Sequence, residues 1–578
     1  MRRLICLALF VLALPIAAAD RPNVILIITD DQGYGDVGAH GNTILKTPNL
    51  DVLHSESVRL TDYHTDPTCS PTRSALMTGR YSTRVGVWHT INGRSMLPSD
   101  ELTLAEVFKA NGYQTAMFGK WHLGDNAPMR PMDQGFEHVV WHKGGGVGQG
   151  PDYFGNDYFD DTYEVNGVKK KFEGYCTDIW FSEAMKFVDG AKGKGEPFFV
   201  YLSTNAPHGP FLVDEKYSKP YADLGVPGSS APFYGMIENI DENLGKLRAY
   251  LKDNGLSENT LLIYTTDNGT ARGLFQNKDK PEVKGFNAGM RAQKGSMYDG
   301  GHRVPFFMHW PKGELIGGKD VDALCAHFDI LPTLVDVLKL EQPRGKPLDG
   351  LSLKGAIQGK QNALPARTIF AATQREFVPP KWIRSTAMHG QWRLIDGKAL
   401  YDIKKDPGQE KDIAADHPEV VAKLRADYEK WWEDMQPSFK KIVRYDLGSV
   451  ENPTTLMSHD WLMRKGHAPW NQPAVQKNAL LNGPFEVNIV KAGKYRITPM
   501  RWPAYVDKPS GCKKAQAVLV YENEEYDLEW DADPTKPIGP SMIVELPAGE
   551  ASLTSTLTRE DGKQFGAYFV KVEYLGKE

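Results

Sequence analysis

Cysteine is scarce in this chain. Its 578 residues include five, at positions 6, 69, 176, 325 and 512, with no CxxC pair, so a cysteine-rich zinc cluster is not expected. Long apolar runs are scarcer still. Beyond the N-terminus none approaches the ~20 residues needed to cross a bilayer, so no membrane anchor is expected. An excess of basic charge is also missing. The formal net charge of -5 argues against general nucleic-acid binding, which needs a basic face. It leaves room for an anionic ligand, for which a few local cations suffice. The glycine-rich stretch GGGVGQGPDYFGNDYFDDTY (Gly144 to Tyr163) lacks the Gly-Lys-Ser/Thr that ends a nucleotide phosphate loop. It reads instead as a long loop able to shape a pocket. No solenoid-type repeat or low-complexity tract is present.

The N-terminus carries Arg2 and Arg3, an apolar run from Leu4 to Ile16, and the small residues Ala17, Ala18 and Ala19. This pattern predicts a cleavable signal peptide over 1–19, cut after Ala19, and a secreted or periplasmic protein. Cys6 would leave with it. An oxidising compartment permits disulfides, but the spacing gives no pairing. If Cys69 has a special role, three cysteines remain and at least one is expected to be a free buried thiol.

A chain this long is expected to hold two or more domains. NVILIITDD (from Asn23), QTAMFGKWH (from Gln114), PFFVYLSTNAPH (from Pro197) and NTLLIYTTDNG (from Asn259) are apolar runs with polar tails. Such runs suit strands covered on both faces by helices. A helix starts after Thr103, with Thr103 and Glu106 as a capping box and Gly112 as a stop. The alternation predicts an α/β fold, a mostly parallel sheet sandwiched by helices, over 20–360. A smaller α+β subdomain is expected over 361–445, with Asp396-Gly397 as a hairpin turn and an amphipathic helix after Pro418. Alternating patterns over 446–578 predict an added β-sandwich-like domain without helices, read mainly as a packing unit.

The polar tails carry the chemistry. In open parallel sheets, ligands bind beyond the carboxyl ends of the strands. Asp30, Asp31, Asp267 and Asn268 offer hard oxygen donors suited to Ca²⁺ or Mg²⁺. Taken singly, each pair also reads as an ordinary turn. Arg73, Lys120 and Lys294, with His122 and His208, supply donors that a sulfate or phosphate ester needs, including an acid for the leaving oxygen. Taken singly, the lysines read as surface residues.

CSPTRSALMTG, from Cys69 to Gly79, resembles the signature of the type I, formylglycine-dependent sulfatases of the alkaline-phosphatase-like superfamily. GYQTAMFGKWH, NVILIITDDQGYGD, TTDNG, KGSMYDGGHRVP and LYDIKKDPGQEKDIA are similar to further motifs of that family, in order, between Arg21 and Met435. Phe118 and Ala39 depart from it at positions with no chemical role. The resemblance implies an alkaline-phosphatase-like fold and an arylsulfatase-like sulfuric ester hydrolase. It implies that Cys69 is converted to formylglycine by a formylglycine-generating enzyme, and that Asp30, Asp31, Asp267, Asn268 and the modified Cys69 hold one Ca²⁺. Arg73 would orient the formylglycine, and Lys120, His208 and Lys294 would bind sulfate oxygens. His122 would contact the nucleophile, and His208 or Lys294 would protonate the leaving oxygen. A hydrated aldehyde suits this chemistry because its second hydroxyl gives the sulfated adduct an exit that a thiol lacks.

Trp88, His89, Trp141, His142, His302 and Arg303 flank these motifs and are candidates for a substrate rim. The expected substrate is a sulfated carbohydrate. Two alternatives are a phosphate or phosphonate monoester hydrolase on the same fold, and a glycan-binding protein without catalysis.

Overall fold

The computed structural model describes residues 21–577 except 361, 362, 373, 374, 523, 538 and 540. The signal peptide expected over 1–19, with Cys6, lies outside the described residues. No helix among the described residues is long and apolar enough to cross a membrane.

Ten strands form the central sheet: β1 (Asn23–Thr29), β2 (Val58–Leu60), β3 (Gln114–Lys120), β4 (His138–His142), β5 (Thr162–Val165), β6 (Val168–Lys171), β7 (Phe198–Ser203), β8 (Thr260–Thr266), β9 (Phe306–His309) and β10 (Lys319–Val321). Their spatial order is β10-β2-β9-β8-β1-β7-β3-β4-β5-β6. The five central strands, β8-β1-β7-β3-β4, run parallel. Along β1 the side chains alternate between two cores. Val24, Leu26 and Ile28 join one hydrophobic cluster, while Ile25 and Ile27 join the other. Helices therefore cover both faces, and each buried aliphatic side chain contributes roughly 1.5–3 kcal/mol.

Register brings the strand ends together. Thr29 lies beside Thr266, and Ile28 and Gly119 both lie beside Ser203. The residues that follow therefore emerge along one edge of the sheet. The helix expected after Thr103 spans Leu104–Ala110 with the Thr103–Glu106 capping box formed.

A four-stranded antiparallel sheet follows: Ile369–Ala372, Ser385–His389, Trp392–Ile395 and Ala399–Asp402. Asp396 and Gly397 turn between its last two strands, both with positive φ. The helix Pro418–Met435 packs on this sheet through Leu424, Tyr428 and Trp431.

Toward the C-terminus two more sheets face each other. One is built around Phe485–Ile489, Gly549–Arg559 and Cys512–Val520, the other around Phe569–Gly576 and Gly493–Met500. Val487, Leu553 and Ala517 from the first meet Val570 and Ile497 from the second. One finding corrects the sequence reading here, which expected no helix. A short helix, Gln472–Gln476, interrupts the strands, because Asn471 caps it and Pro473 suits a first turn. The shared core also takes in Met96 and Met129 from the N-terminal region, so these sheets sit against the rest of the fold.

Candidate active site

Cys69 begins the helix Cys69–Thr78, immediately after Thr68 in extended backbone. This places its Sγ 3.6 Å from Asp30 Oδ1 and 3.5 Å from Lys294 Nζ. One helical turn on, Arg73 is fully buried and donates from Nη2 and Nε to Asp267 Oδ2, at 2.9 and 3.2 Å. It also donates to the Lys120 carbonyl and to Ser203 Oγ. The signature helix is thereby tied to the ends of β3, β7 and β8.

Asp30 and Asp31 leave β1, and Asp267 and Asn268 leave β8. One ligand atom from each of Asp30, Asp31, Cys69 and Asp267 lies within 4.8 Å of the others. Asp31 adopts φ 72°, a left-handed conformation uncommon outside glycine. Its backbone N–H donates to Asp267 Oδ1 at 3.1 Å. Asn268 Nδ2 donates to Asp31 Oδ1 at 2.9 Å, which leaves Asn268 Oδ1 buried with no partner in the protein. An orphan carbonyl oxygen beside three buried carboxylates fits a hard divalent cation. The residues present are thus suited to hold Ca²⁺ or Mg²⁺.

Cations surround this cluster. Lys120, wholly buried rather than on the surface, lies 2.5 Å from Asp30 Oδ2. Lys294 pairs with Asp31. His208 Nε2 sits 3.9 Å from Asp31 Oδ2, while its Nδ1–H donates to the Gly209 carbonyl at 2.7 Å. Burial raises the Asp30 carboxyl well above its ordinary range, helped by repulsion from Asp267 and opposed by Lys120. Burial acts the same way on Asp31, but Lys294 and His208 outweigh it and hold that carboxyl low. Burial lowers His208 to about 4. Burial also pushes the Cys69 thiol up to about 12, despite Lys120 and Lys294, so the unmodified side chain is held as a thiol rather than a thiolate.

His122 has φ 61° and donates from Nε2 to the Thr90 carbonyl at 2.9 Å. The glycine-rich loop packs against it. A Cβ at Gly145 would come within 2.2 Å of its ring, and one at Gly146 within 3.3 Å of His208. These glycines let the loop close over both histidines.

Cys69, His122, His208 and Lys294 open onto one cavity of about 290 Å³. Its other walls are His89, Thr90, Ile91, Gln149, Arg375, His467 and Trp470. Of the rim candidates, only His89 reaches it. Trp88 is buried, donates from its indole N–H to the Glu376 carbonyl and carries the Arg94 guanidinium at 4.6 Å. His302 is buried against His64, their Nδ1 atoms 2.9 Å apart. Arg303 donates to the Thr61 carbonyl. Trp141 and His142 line a separate hollow of about 150 Å³. Trp88, His302 and Arg303 are taken up by packing and internal hydrogen bonds, whereas the Trp141 indole nitrogen and His142 Nε2 are buried without a partner. Sequence reasoning missed Gln149, Arg375, His467 and Trp470. The last two lie in the loop segment KGHAPW, where a histidine between glycine and proline, with a tryptophan directly after the proline, is the available signal. Cys69, Cys176, Cys325 and Cys512 are all free and buried.

The sulfatase family model matches residues 22–340. N-acetylgalactosamine-6-sulfatase of Homo sapiens is 30% identical over 476 residues, 73% of this chain and 87% of that protein. Arylsulfatase A of Homo sapiens is 28% identical over 479 residues, 72% and 89% of the two chains. Among solved structures, Ps i-CgsB in complex with k-i-k-neocarrahexaose is 29% identical with a TM-score of 0.63, covering 72% of this chain and 94% of that one. The mixed α/β architecture with its parallel-rich central sheet is shared with that solved structure. The chain belongs to the sulfatase family of sulfuric ester hydrolases.

Proposed function

We propose that this sulfatase removes sulfate from a sulfated carbohydrate, using Cys69 converted to formylglycine and one Ca²⁺. The observation that carries this reading is the position of Cys69. Its Sγ sits between Asp30 and Lys294 at the floor of a cavity that His122 and His208 also line. The names of its relatives support the carbohydrate, since one is an N-acetylgalactosamine-6-sulfatase and another was solved with a neocarrahexaose. The leader pattern over 1–19 supports export to the periplasm or beyond. A formylglycine-generating enzyme is the partner required for maturation.

Formylglycine at position 69 supplies, as its hydrate, an oxygen nucleophile and a second hydroxyl through which sulfate can leave. Asp30, Asp31, Asp267 and Asn268 would hold Ca²⁺, which lowers the pKa of a hydroxyl it touches and offsets charge on the transferring group. The other residues act directly. Lys120 and Lys294 bind sulfate oxygens through charge-assisted hydrogen bonds, and His208 joins them once its Nε2 takes a proton. Arg73 fixes Asp267 and the start of the signature helix. His122, held by Thr90, lines the same cavity as Cys69 with its Nδ1 buried and unpartnered, and burial and Lys120 hold its imidazole neutral. Lys294, or His208 once its Nε2 has been protonated, delivers the proton to the leaving oxygen.

Sulfate release from N-acetylgalactosamine 6-sulfate, neocarrahexaose and 4-nitrophenyl sulfate, run beside 4-nitrophenyl phosphate, tests the reading. Turnover of a saccharide sulfate above that of the phosphate is the expected result. Preference for the phosphate would contradict it.

A further inference from the structure

Two walls of the active-site cavity come from a part of the chain far from every sulfatase motif. The loop between Trp461 and Asn471 is fastened to the N-terminal region at both ends. Asn92 donates from Nδ2 to the Gly466 carbonyl at 3.0 Å and accepts at Oδ1 from the Ala468 N–H at 2.9 Å. At the other end the Gly150 N–H donates to the Trp470 carbonyl at 2.9 Å, and Gln149 and Asn471 form a β-bridge. These bonds bracket His467 and Trp470 and hold them on the cavity beside Gln149.

Across from them, His89 is only 2% exposed. Its Nδ1 accepts from the Thr90 and Ile91 N–H groups at 2.7 and 3.1 Å. That fixes the tautomer, because a nitrogen accepting two hydrogen bonds carries no proton. The proton is therefore on Nε2, which is buried with no partner in the protein. A buried donor left unmade is costly, and native proteins rarely keep one without use. The His467 ring stands edge-on to His89 at 5.9 Å. Trp470 keeps 37% of its surface exposed, although tryptophan is usually well buried.

We infer that His89, His467 and Trp470 form the subsite for the sugar ring carrying the sulfate, so that the C-terminal β-sheet region helps to set specificity. His89 Nε2–H donates to an oxygen of that sugar, and Trp470 offers an aromatic face for the ring's C–H surface. This inference rests on the carbohydrate reading above and adds the residues that read the sugar.

The test compares kcat/KM on N-acetylgalactosamine 6-sulfate and on neocarrahexaose with kcat/KM on 4-nitrophenyl sulfate, in mature, Ca²⁺-loaded enzyme. His89→Asn keeps an acceptor for the Thr90 and Ile91 N–H groups but removes the Nε2 donor. Trp470→Ala removes a partly exposed ring, and Trp470→Phe keeps an aromatic face. His89→Asn and Trp470→Ala are each expected to lower the saccharide-to-aryl ratio by about tenfold or more, mainly through KM, with Trp470→Phe restoring most of it. Melting temperatures close to wild type confirm folding, and Trp470→Ala carries the test if His89→Asn unfolds. A ratio within about twofold of wild type in folded variants overturns the subsite. Wild-type enzyme that releases sulfate from the aryl ester but from neither saccharide overturns the carbohydrate reading itself.

Discussion

Arg73 and Asp267 form a buried pair in which two guanidinium nitrogens share one carboxylate oxygen, Oδ2, with neither side chain exposed. The other oxygen of Asp267 accepts the Asp31 N–H. One arginine thus fixes an acid of the oxygen-donor cluster and the helix that begins with Cys69. Removing one partner from such a pair strands a charge in low dielectric.

Arg73→Lys is therefore not conservative. A lysine cannot reach Asp267, Ser203 and the Lys120 carbonyl together. We expect a stability loss of about 3 kcal/mol by chemical denaturation. We also expect kcat to fall by about 100-fold, as when a positioned charge is lost. Near-normal kcat in a folded variant would contradict the positioning role.

Calcium is expected to stabilise the fold. Asp30, Asp31 and Asp267 converge without exposure to solvent, and the orphan Asn268 Oδ1 joins them. Chelation should lower the melting temperature and abolish sulfate release. Ca²⁺ at a hundred times its Kd should return about 2.7 kcal/mol. A melting curve indifferent to both chelator and Ca²⁺ would count against a metal at these residues.

Much of this arrangement is legible in the sequence. β1, β3, β7 and β8 are continuous apolar runs because helices cover both faces of the sheet, and their polar tails mark the ligand-binding edge. Parallel register then aligns Thr29 with Thr266, which sequence alone does not specify. The rim was largely illegible. Trp88, His302 and Arg303 have the composition of a sugar site, yet their polar atoms are taken by Glu376, His64 and Thr61. Trp470 and His467 lie in a loop whose place is set by hydrogen bonds to Asn92 and Gly150. Those long-range contacts leave no periodic trace.

Asp36 offers a pH test away from the reacting groups. Burial raises its carboxyl to about 7, although the Gly33 N–H and Thr270 favour the charged form. A carboxyl raised on folding binds its proton more tightly in the native state. Stability tied to it is present at low pH and is lost as pH climbs from about 4 to about 7. Asp36→Asn should remove this loss. Relative to wild type, the variant should gain about 2 kcal/mol between pH 5 and pH 7 and less than about 0.5 kcal/mol above that. A stability difference that does not change with pH would contradict the shift.

The most direct test is the mass of the peptide spanning Pro67 to Arg80, measured beside sulfate release, in protein co-produced with a formylglycine-generating enzyme. The account predicts that turnover rises in proportion to the fraction of residue 69 present as the aldehyde. It also predicts no turnover for Cys69→Ala, which keeps the fold. Full activity in a preparation whose peptide carries only unmodified cysteine would contradict it.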